Sequence, residues 1–484
     1  MMSVEASSPS EPILKSFTLE DEQLENSASD EVKKAFNKPS SADMLFFYER
    51  LLPFRHIFQW LNHSPKPTQD FVKREFAFEY SSGAYQRYNS FPTQVDFKKA
   101  VVTANPTRFE VGAVYTVNPK ERKNLPKSAM KPLSKELVFD IDLTDYDEIR
   151  TCCSGTDICV KCWKFIQVAS QIIELALRED FGFKHLIWVF SGRRGAHCWV
   201  SDSRARQLDE VGRRSIVEYL DILGSKQNKM GKKSFNLKKP FHPHVERSFG
   251  VMAKHFTEIV LQEQDPWYTQ PSDDKKGKNW EQVEELLSYL PDKTLQQELR
   301  LKWQNSSKIS TSKDKWDDIN VVAQKVLKSQ NQAAYLKEAK KDIVVYYLYP
   351  RLDIEVSKQV IHLLKSPFCV HPGTGNVCVP FNPKKNLSSN TEDDEYGFNP
   401  TNSPNLRQLQ NEIEIYDTKR VNRESSQPLD ESDSELDNNN LRIADYEKTS
   451  LKPYVDYFGK FVQELLKDEM SESKRNREDD PLDF

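Results

Sequence analysis

No apolar run in this chain approaches the roughly 20 residues that a membrane-spanning helix needs. The N-terminal region also lacks the apolar core of a signal peptide. We therefore expect a protein without a membrane partner, in a reducing compartment. In such a compartment clustered thiols bind metal more often than they form disulfides, and the chain has seven Cys.

Apolar residues are scarce for a chain of 484 residues: they make up 37%, and the mean hydropathy is −0.70. Part of the chain must therefore be a solvated tail or linker. Aromatic residues make up 11%, which indicates that the remainder is folded. The length allows about two to four domains, and internal repeats are absent.

The net charge of −4 is unevenly distributed. Residues 1–32 carry a net charge of −7 and residues 386–445 carry −9, which leaves +12 for the rest of the chain. A cationic body with acidic appendages suits a protein that binds phosphate groups. A generic charged surface would give the same numbers.

Hydrophobic patterning predicts an α+β fold in which a helical segment interrupts a β-rich catalytic domain. Strand-like stretches occupy 74–80, 110–117, 136–143 and 185–202, and the run IVVYYLY that begins at 343. The predicted division is an acidic disordered tail (1–40), the first part of the catalytic domain (41–205) with a Cys-rich loop (152–162), a helical insertion (206–340), the second part of the catalytic domain (341–385), an acidic disordered linker (386–445), a C-terminal docking helix (446–470) and a disordered tail (471–484).

The segment ELVFDIDL contains two carboxylates that carry chemistry. Alternate residues of a strand share a face, so Asp140 and Asp142 point the same way and repel each other unless a cation lies between them. Mg²⁺ prefers oxygen ligands, and two such ions about 3.5–4 Å apart assist phosphoryl transfer. Asp353, after the apolar run, is the candidate third ligand. An acidic strand face for the first two and a helix N-cap for the third are the simpler alternatives.

The segment FSGRRGAHCWVSD combines glycine with cations. Gly192 and Gly195 permit backbone N–H groups to approach a phosphate, and Arg193 and Arg194 are planar phosphate donors. A P-loop is absent, and a basic hairpin tip is the alternative interpretation. Further candidates for a cationic pocket are His197, Lys365 and His371.

Four thiols lie within eleven residues, and together they predict a structural zinc site. Free buried thiols or a disulfide are the alternatives. The ligands would be Cys152, Cys153, Cys159 and Cys162. The scattered Cys198, Cys369 and Cys378 are typical of core positions.

Taken in order, REFAFEY, GAVY, VFDIDL, the Cys-rich loop, SGRRGAHCW, YPRLDIEVSK and HLLKSPFCVHP resemble the small catalytic subunits of archaeal and eukaryotic DNA primases. The resemblance implies a primase fold with a core related to RNA-recognition-motif sheets. It implies two Mg²⁺ or Mn²⁺ ions on Asp140, Asp142 and Asp353. It also implies a nucleotide pocket formed by Ser191, Arg193, Arg194, His197, Lys365, His371, Glu75, Tyr85, Arg87, Arg108 and Glu110.

The resemblance further implies RNA primer synthesis from NTPs on single-stranded DNA during replication in the nucleus. The implied partners are a large primase subunit with an iron–sulfur cluster and DNA polymerase alpha. This chain has no second Cys quartet for that cluster. Two alternatives stay open: a repair-type primase-polymerase that uses dNTPs, and a non-catalytic nucleic-acid-binding module.

Overall fold

A computed structural model of the chain describes residues 38–224, 237–273, 277–383, 398–426 and 443–478. Its fold is α+β with two antiparallel sheets, which confirms the predicted fold class. Within these ranges, no helix combines the length and apolarity that crossing a membrane requires.

In the first half of the described chain, strands form in all four predicted stretches, 74–80, 110–117, 136–143 and 185–202. In chain order the elements are α1 (Ser41–Arg50), α2 (Phe54–Asn62), α3 (Gln69–Val72), β1 (Arg74–Glu79), β2 (Tyr85–Asn89), α4 (Gln94–Ala104), β3 (Arg108–Tyr115), β4 (Pro132–Ser134), β5 (Leu137–Asp142), α5 (Val160–Glu179), β6 (Leu186–Phe190) and β7 (Gly195–Val200). Ser40 starts α1 through a reciprocal capping box with Asp43. Pro53, which cannot continue a helix, separates α1 from α2.

The second half is mostly helical. It contains α6 (Ser203–Arg206), α7 (Glu210–Leu220), α8 (Pro243–Phe256), α9 (Lys278–Ser288), α10 (Lys293–Gln304), α11 (Ser312–Val326), α12 (Gln330–Leu348), α13 (Ile354–Lys358), β8 (Leu364–Lys365), β9 (Pro380–Phe381), α14 (Leu406–Ser426) and α15 (Lys452–Glu478). A π-helical segment, Thr257–Gln264, follows α8 directly.

The prediction that IVVYYLY is a strand is wrong, because this run forms the end of α12. Helix-forming residues precede it, and Ser329 begins the helix with a capping box. The apolar run is continuous because the end of α12 is buried all round, so its pattern does not distinguish a helix from a buried strand. The domain boundary between 340 and 341 falls inside this helix, and the division into domains stays a prediction.

The prediction of a disordered linker over 386–445 is wrong for residues 398–426. Helix α14 lies there, and Leu406, Leu409 and Ile413 are buried in the core. Because the segment is mostly polar, its composition does not reveal that these three apolar side chains are buried. Helix α15 likewise continues to Glu478, past the predicted end of the docking helix at 470. The other residues predicted to be disordered lie largely outside the described residues, at 1–37, 386–397, 427–442 and 479–484.

Two sheets bring the motif residues of the candidate site together. The first has strand order β2-β1-β3-β4, with β8 also paired to β3, and the second has the order β5-β7-β6-β9. The second sheet is anchored through Trp60 of α2, whose ring meets Trp199 of β7 edge-on at 5.1 Å and Phe458 of α15 at 5.7 Å. The Trp60 Nε1–H also donates to Ser201 Oγ at 2.8 Å. Helix α15 therefore packs against α2 through Phe458.

Candidate active site

The three predicted carboxylates lie together at the end of β5. Asp140 and Asp142 face His197 and Gly195 of β7 in the antiparallel register. The backbone N–H of Asp353 donates to the carbonyl oxygen of Asp140 at 3.0 Å. Burial, followed by the charges of Asp142 and Asp353, raises the pKa of Asp140 to about 7. Like charges are therefore held close together in this cluster, which favours the protonated form of Asp140.

Asp353 lies in the short loop between helices α12 and α13, and not at the end of a strand. Helix α12 ends at Leu348, and Asp353 then caps α13 by accepting from the backbone N–H of Glu355 at 3.1 Å. The N-cap alternative is thus confirmed as local structure. It is compatible with proximity to Asp140, since a carboxylate has lone pairs beyond the one that a cap uses.

Asp142 is more strongly compensated than Asp140. The Arg194 Nε–H lies 2.8 and 2.9 Å from the two Asp142 oxygens. The backbone N–H and the hydroxyl of Thr144 each donate to Asp142 Oδ1 at 2.8 Å. By contrast, Asp140 Oδ1 lies 3.6 Å from His197 Nε2. Burial and then the charge of Lys365 lower the pKa of His197 to about 3, so this histidine is neutral near pH 7.

The turn between β6 and β7 requires both of its glycines. Gly192 has φ +85°, and a Cβ there would lie 2.7 Å from His371 Cβ. A Cβ at Gly195 would lie 2.3 Å from the carbonyl oxygen of Ile141, on the neighbouring strand β5. Ser191 closes the turn: its N–H donates to the Gly195 carbonyl at 2.9 Å, and its Oγ accepts from the Gly195 N–H at 3.0 Å.

Cations from both sheets surround this turn. Lys365 of β8 donates from Nζ to the carbonyl oxygen of Ser191. Burial, followed by the charges of Lys365, Arg193, Arg108 and Arg194, lowers the pKa of His371 to about 3. The expectation that His371 adds positive charge is therefore wrong near pH 7. The positive potential comes from the arginines and the lysine, whose proximity keeps the imidazole neutral.

The remaining predicted pocket residues lie on the first sheet. Buried Glu75 accepts from Arg87 Nε at 2.8 Å and from Arg87 Nη2 at 3.2 Å. Glu110 accepts from the hydroxyl of Tyr85, and it lies opposite Lys365 in the pairing of β3 with β8. Burial and the bond to Glu110 raise the pKa of Tyr85, so the phenol stays protonated.

Arg108 joins this group through two carboxylates. Its Nε lies 2.6 Å from a Glu79 oxygen, and its Nη2 lies 3.2 Å from Glu110 Oε1. Because Lys365 contacts both the Ser191 turn and the β3 edge, the pocket lies where the two sheets meet.

Three residues of this neighbourhood were not identified from the sequence. Tyr115, within the motif GAVY, donates its hydroxyl hydrogen bond to Glu75 at 3.0 Å. Asp145 lies close enough to the cluster that burial and the charges of Asp142 and Asp353 raise its pKa. Thr374 donates to the carbonyl oxygen of Gly192 at 2.8 Å. Asp145 follows the DID motif and was visible in the sequence, whereas no sequence signal identifies Thr374.

The four Cys of the predicted metal site converge. Their sulfur atoms all lie within 4.8 Å of one another, and those of Cys159 and Cys162 are 3.9 Å apart. A tetrahedral zinc–thiolate site with bonds of about 2.3 Å requires sulfur separations of about 3.8 Å, so the donor set fits zinc. The other three cysteines, Cys198, Cys369 and Cys378, are buried in the core as predicted.

The comparisons with known proteins agree with one another. A sequence model of the family described as DNA primase small subunit matches residues 139–383. The DNA primase small subunit of Saccharomyces cerevisiae is 46% identical and covers 93% of this chain and 98% of that protein. The Schizosaccharomyces pombe protein is 42% identical (94% of this chain, 96% of that protein), and the Drosophila melanogaster protein is 37% identical (91% and 94%).

Among solved structures, the polymerase domain of Mycobacterium tuberculosis ligase D in complex with DNA gives a TM-score of 0.23 at 12% identity, covering 37% of this chain and 62% of that chain. A likeness this weak carries no argument. The sequence relationships are decisive because they extend over nearly the whole of both chains. The chain therefore belongs to the DNA primase small-subunit family, the catalytic subunits that synthesise RNA primers by nucleotidyl transfer.

Proposed function

We propose that Asp140, Asp142 and Asp353 bind the two divalent ions, Mg²⁺ or Mn²⁺, that nucleotidyl transfer in this protein requires. The closeness of the three carboxylates supports this: the backbone N–H of Asp353 donates to the carbonyl oxygen of Asp140, and after burial the charges of Asp142 and Asp353 raise the pKa of Asp140. When bound, a pair of ions stabilises the attacking and leaving oxygens of an in-line displacement. The carboxylates would act as the ligands that hold and position these ions.

The triphosphate of the incoming nucleotide would bind at the β6–β7 turn. The proposed residues are Ser191, Arg193, Arg194, His197, Lys365 and His371. Four cations, Arg108 included, act on the imidazole of His371, which supports a strongly positive pocket. Arg194 would contact the phosphates beside the carboxylate of Asp142, which it already approaches. The neutral imidazoles of His197 and His371 would serve as hydrogen-bond donors and not as charges.

Glu75, Tyr85, Arg87, Arg108 and Glu110 would line the opposite wall of the same pocket. Their ion pairs and hydrogen bonds support a preorganised wall whose donors are held in position before the nucleotide arrives. The four clustered thiols would bind one structural zinc ion, since four sulfur ligands leave no open position for chemistry.

The name small subunit implies a larger partner. We infer that this partner is an iron–sulfur large subunit, that the pair works with DNA polymerase alpha, and that it acts in the nucleus. Chain initiation requires two nucleotides and a template to be held at once. Only one cationic triphosphate pocket is evident in the described residues, so the partner would help to hold the initiating nucleotide. The isolated chain should then extend primers well and start them poorly.

A template-directed assay with separate NTP and dNTP pools tests the proposed function. RNA synthesis from NTPs on single-stranded DNA, lost in Asp140→Asn, is the expected result. Preferential use of dNTPs would favour the repair-type primase-polymerase. Oligonucleotide binding without synthesis from either pool would favour the non-catalytic module. Comparing dinucleotide synthesis with extension of a preformed primer, with and without the large subunit, tests the initiation step separately.

A further inference from the structure

Strand β2 contains a residue with a positive φ angle, a backbone conformation that residues other than glycine rarely adopt. Tyr88 has φ +67°, and its backbone N–H donates to Glu75 Oε1 at 3.3 Å. A non-glycine residue in this region costs about 1–3 kcal/mol and persists where the surrounding structure fixes it. Such residues cluster at functional sites, so the orientation of the Tyr88 ring is a feature to be explained.

Two guanidinium groups lie over this ring. The Cζ atoms of Arg122 and Arg87 are 4.2 and 5.1 Å from the Tyr88 ring centroid. Arg87 is also paired with Glu75, whereas Arg122 has no carboxylate partner among the residues that the structure describes. The strained tyrosine therefore fixes an exposed guanidinium in position and leaves its charge available.

Arg122 belongs to a basic segment. Residues 118–131 contain five Lys or Arg and one Glu. The 3₁₀ helix within it, Pro119–Asn124, packs on β2, and Lys120 Nζ lies 5.0 Å from the ring centroid of buried Phe91. The side chains of Lys120, Arg122 and Lys123 are exposed. We call these three cations and the ring of Tyr88 the Tyr88 surface.

The Tyr88 surface adjoins the candidate active site. Strand β2 itself reaches that site: Tyr85 donates to Glu110, which lies opposite Lys365 in the pairing of β3 with β8. Lys365 in turn donates to the carbonyl oxygen of Ser191 in the β6–β7 turn. Tyr88 therefore lies on the strand that borders the proposed pocket. A strand held on the Tyr88 surface would lie next to the proposed catalytic centre.

We propose that the Tyr88 surface binds the unpaired DNA template beside the catalytic centre. This rests on the proposed location of that centre at Asp140, Asp142 and Asp353. The exposed lysines and Arg122 provide phosphate donors, and a guanidinium plane fixed over a ring offers a stacking face to an unpaired base. A fully paired duplex hides its base faces, so the chemistry of this surface fits a single strand.

Binding of a fluorescent 20-nucleotide oligo-dT to the full chain, followed by anisotropy across a salt series, tests the proposal. The variant is Arg122→Ala/Lys123→Ala, which touches none of the proposed catalytic residues. Its matched control is Lys325→Ala/Lys328→Ala, which removes two exposed lysines at the end of α11 and the start of the following turn. A blunt RNA–DNA hybrid of the same length is the second probe.

We expect Kd for oligo-dT to rise about tenfold near 0.1 M salt and the log–log salt slope to become less negative by about 1.4, since each single-strand phosphate contact contributes about 0.7. The control should bind like the unaltered protein, and the hybrid should lose less affinity than the single strand. Unchanged oligo-dT binding, an equal loss in the control, or an equal loss on the hybrid would each overturn the proposal.

Two substitutions of Tyr88 test whether its ring positions Arg122. Tyr88→Phe keeps the ring and should retain oligo-dT affinity. Tyr88→Asn keeps a residue that tolerates positive φ and should weaken binding about as much as Arg122→Ala. Equal affinities of the two Tyr88 variants would contradict the positioning role. Primer synthesis that survives in Asp140→Asn would refute the proposed catalytic centre and would leave these binding results unaffected, so the two failures are distinguishable.

Discussion

The two ends of β5 place buried carboxylates in opposite environments: one is paired with cations, and the other lies beside further carboxylates. Immediately before the strand, the carboxylate of Glu136 is fully buried and accepts from Arg74 Nη1 at 2.8 Å and from Nη2 at 3.0 Å. His63 Nε2 lies 3.1 Å from the same carboxylate. At the other end, Asp140 lies beside two further carboxylates, and its pKa is raised to about 7.

The difference separates stability from activity. Opposite charges at the start of the strand hold the pKa of Glu136 well below its usual value despite burial, so the ion pair stabilises the fold. Like charges at the end of the strand destabilise the fold. The same clustered carboxylates are suited to binding divalent cations. The ion pair immediately before this six-residue strand and the proposed catalytic cluster at its other end thus have opposite roles.

The largest effect should come from the catalytic end. Asp140→Asn should lower primer synthesis by about 10³-fold or more, because a proposed metal ligand is lost, while the free energy of unfolding stays the same or rises. Synthesis assays and chemical denaturation on the same preparation measure both quantities. A large loss of stability in this variant would remove the contrast between the two ends.

The paired end should show the reverse. Glu136→Ala should lower the free energy of unfolding by about 3–5 kcal/mol, because Arg74 is left buried without its partner. Glu218→Ala, at an exposed position of α7, is the control and should change it by less than about 0.5 kcal/mol.

The Glu136 contribution has a defined pH dependence. Because the folded pKa lies below the unfolded one, the contribution is present above the unfolded pKa and is lost as the pH falls through the folded pKa. The difference in stability between the unaltered protein and Glu136→Ala should therefore shrink only at strongly acidic pH. A difference that does not change with pH would contradict an ionised Glu136.

The turn opposite the catalytic end offers a smaller test. Gly192 and Gly83 have similar φ values of +85° and +80°, but only a Cβ at Gly192 meets neighbouring atoms. Each Gly→Ala substitution should cost about 1–2 kcal/mol from backbone conformation alone. Gly192→Ala should cost more than Gly83→Ala and should raise KM for NTP as well. Equal destabilisation with unchanged KM would show that the close packing against His371 is unimportant.

The smallest effect should come from substituting Gln264, whose hydrogen bonds hold the Cys cluster in position. Gln264, the last residue of the π-helical segment, donates from Nε2 to Cys152 Sγ at 3.4 Å and accepts from the Thr151 N–H at 2.8 Å. Gln264→Ala should weaken zinc binding about tenfold, since residues that orient metal ligands tune affinity to this extent. Zinc release to a chromogenic chelator measures it, and Gln324→Ala, exposed on α11, is the control. Identical release rates would argue that Gln264 plays no supporting role.

Much of the site followed from local sequence. The alternation in ELVFDIDL places Asp140 and Asp142 on one face, and the short spacing of the four Cys brings their sulfurs together, because both relationships depend on neighbouring residues alone. The apolar run IVVYYLY misled because complete burial removes the periodicity that distinguishes a helix from a strand. The anchors of α14 were hidden because three apolar side chains scarcely alter the composition of an acidic segment.

By itself, the sequence determined the family, the order of the motifs, the acidic pair on β5 and the zinc-type Cys spacing. Only the tertiary structure decided how the two sheets meet: the Lys365–Ser191 contact joins residues 174 positions apart. It also decided that His197 and His371 are neutral, and that Tyr88 fixes Arg122 beside the site. The physical reason is that protonation and orientation depend on burial and on charges brought close by long-range packing, which no local pattern records.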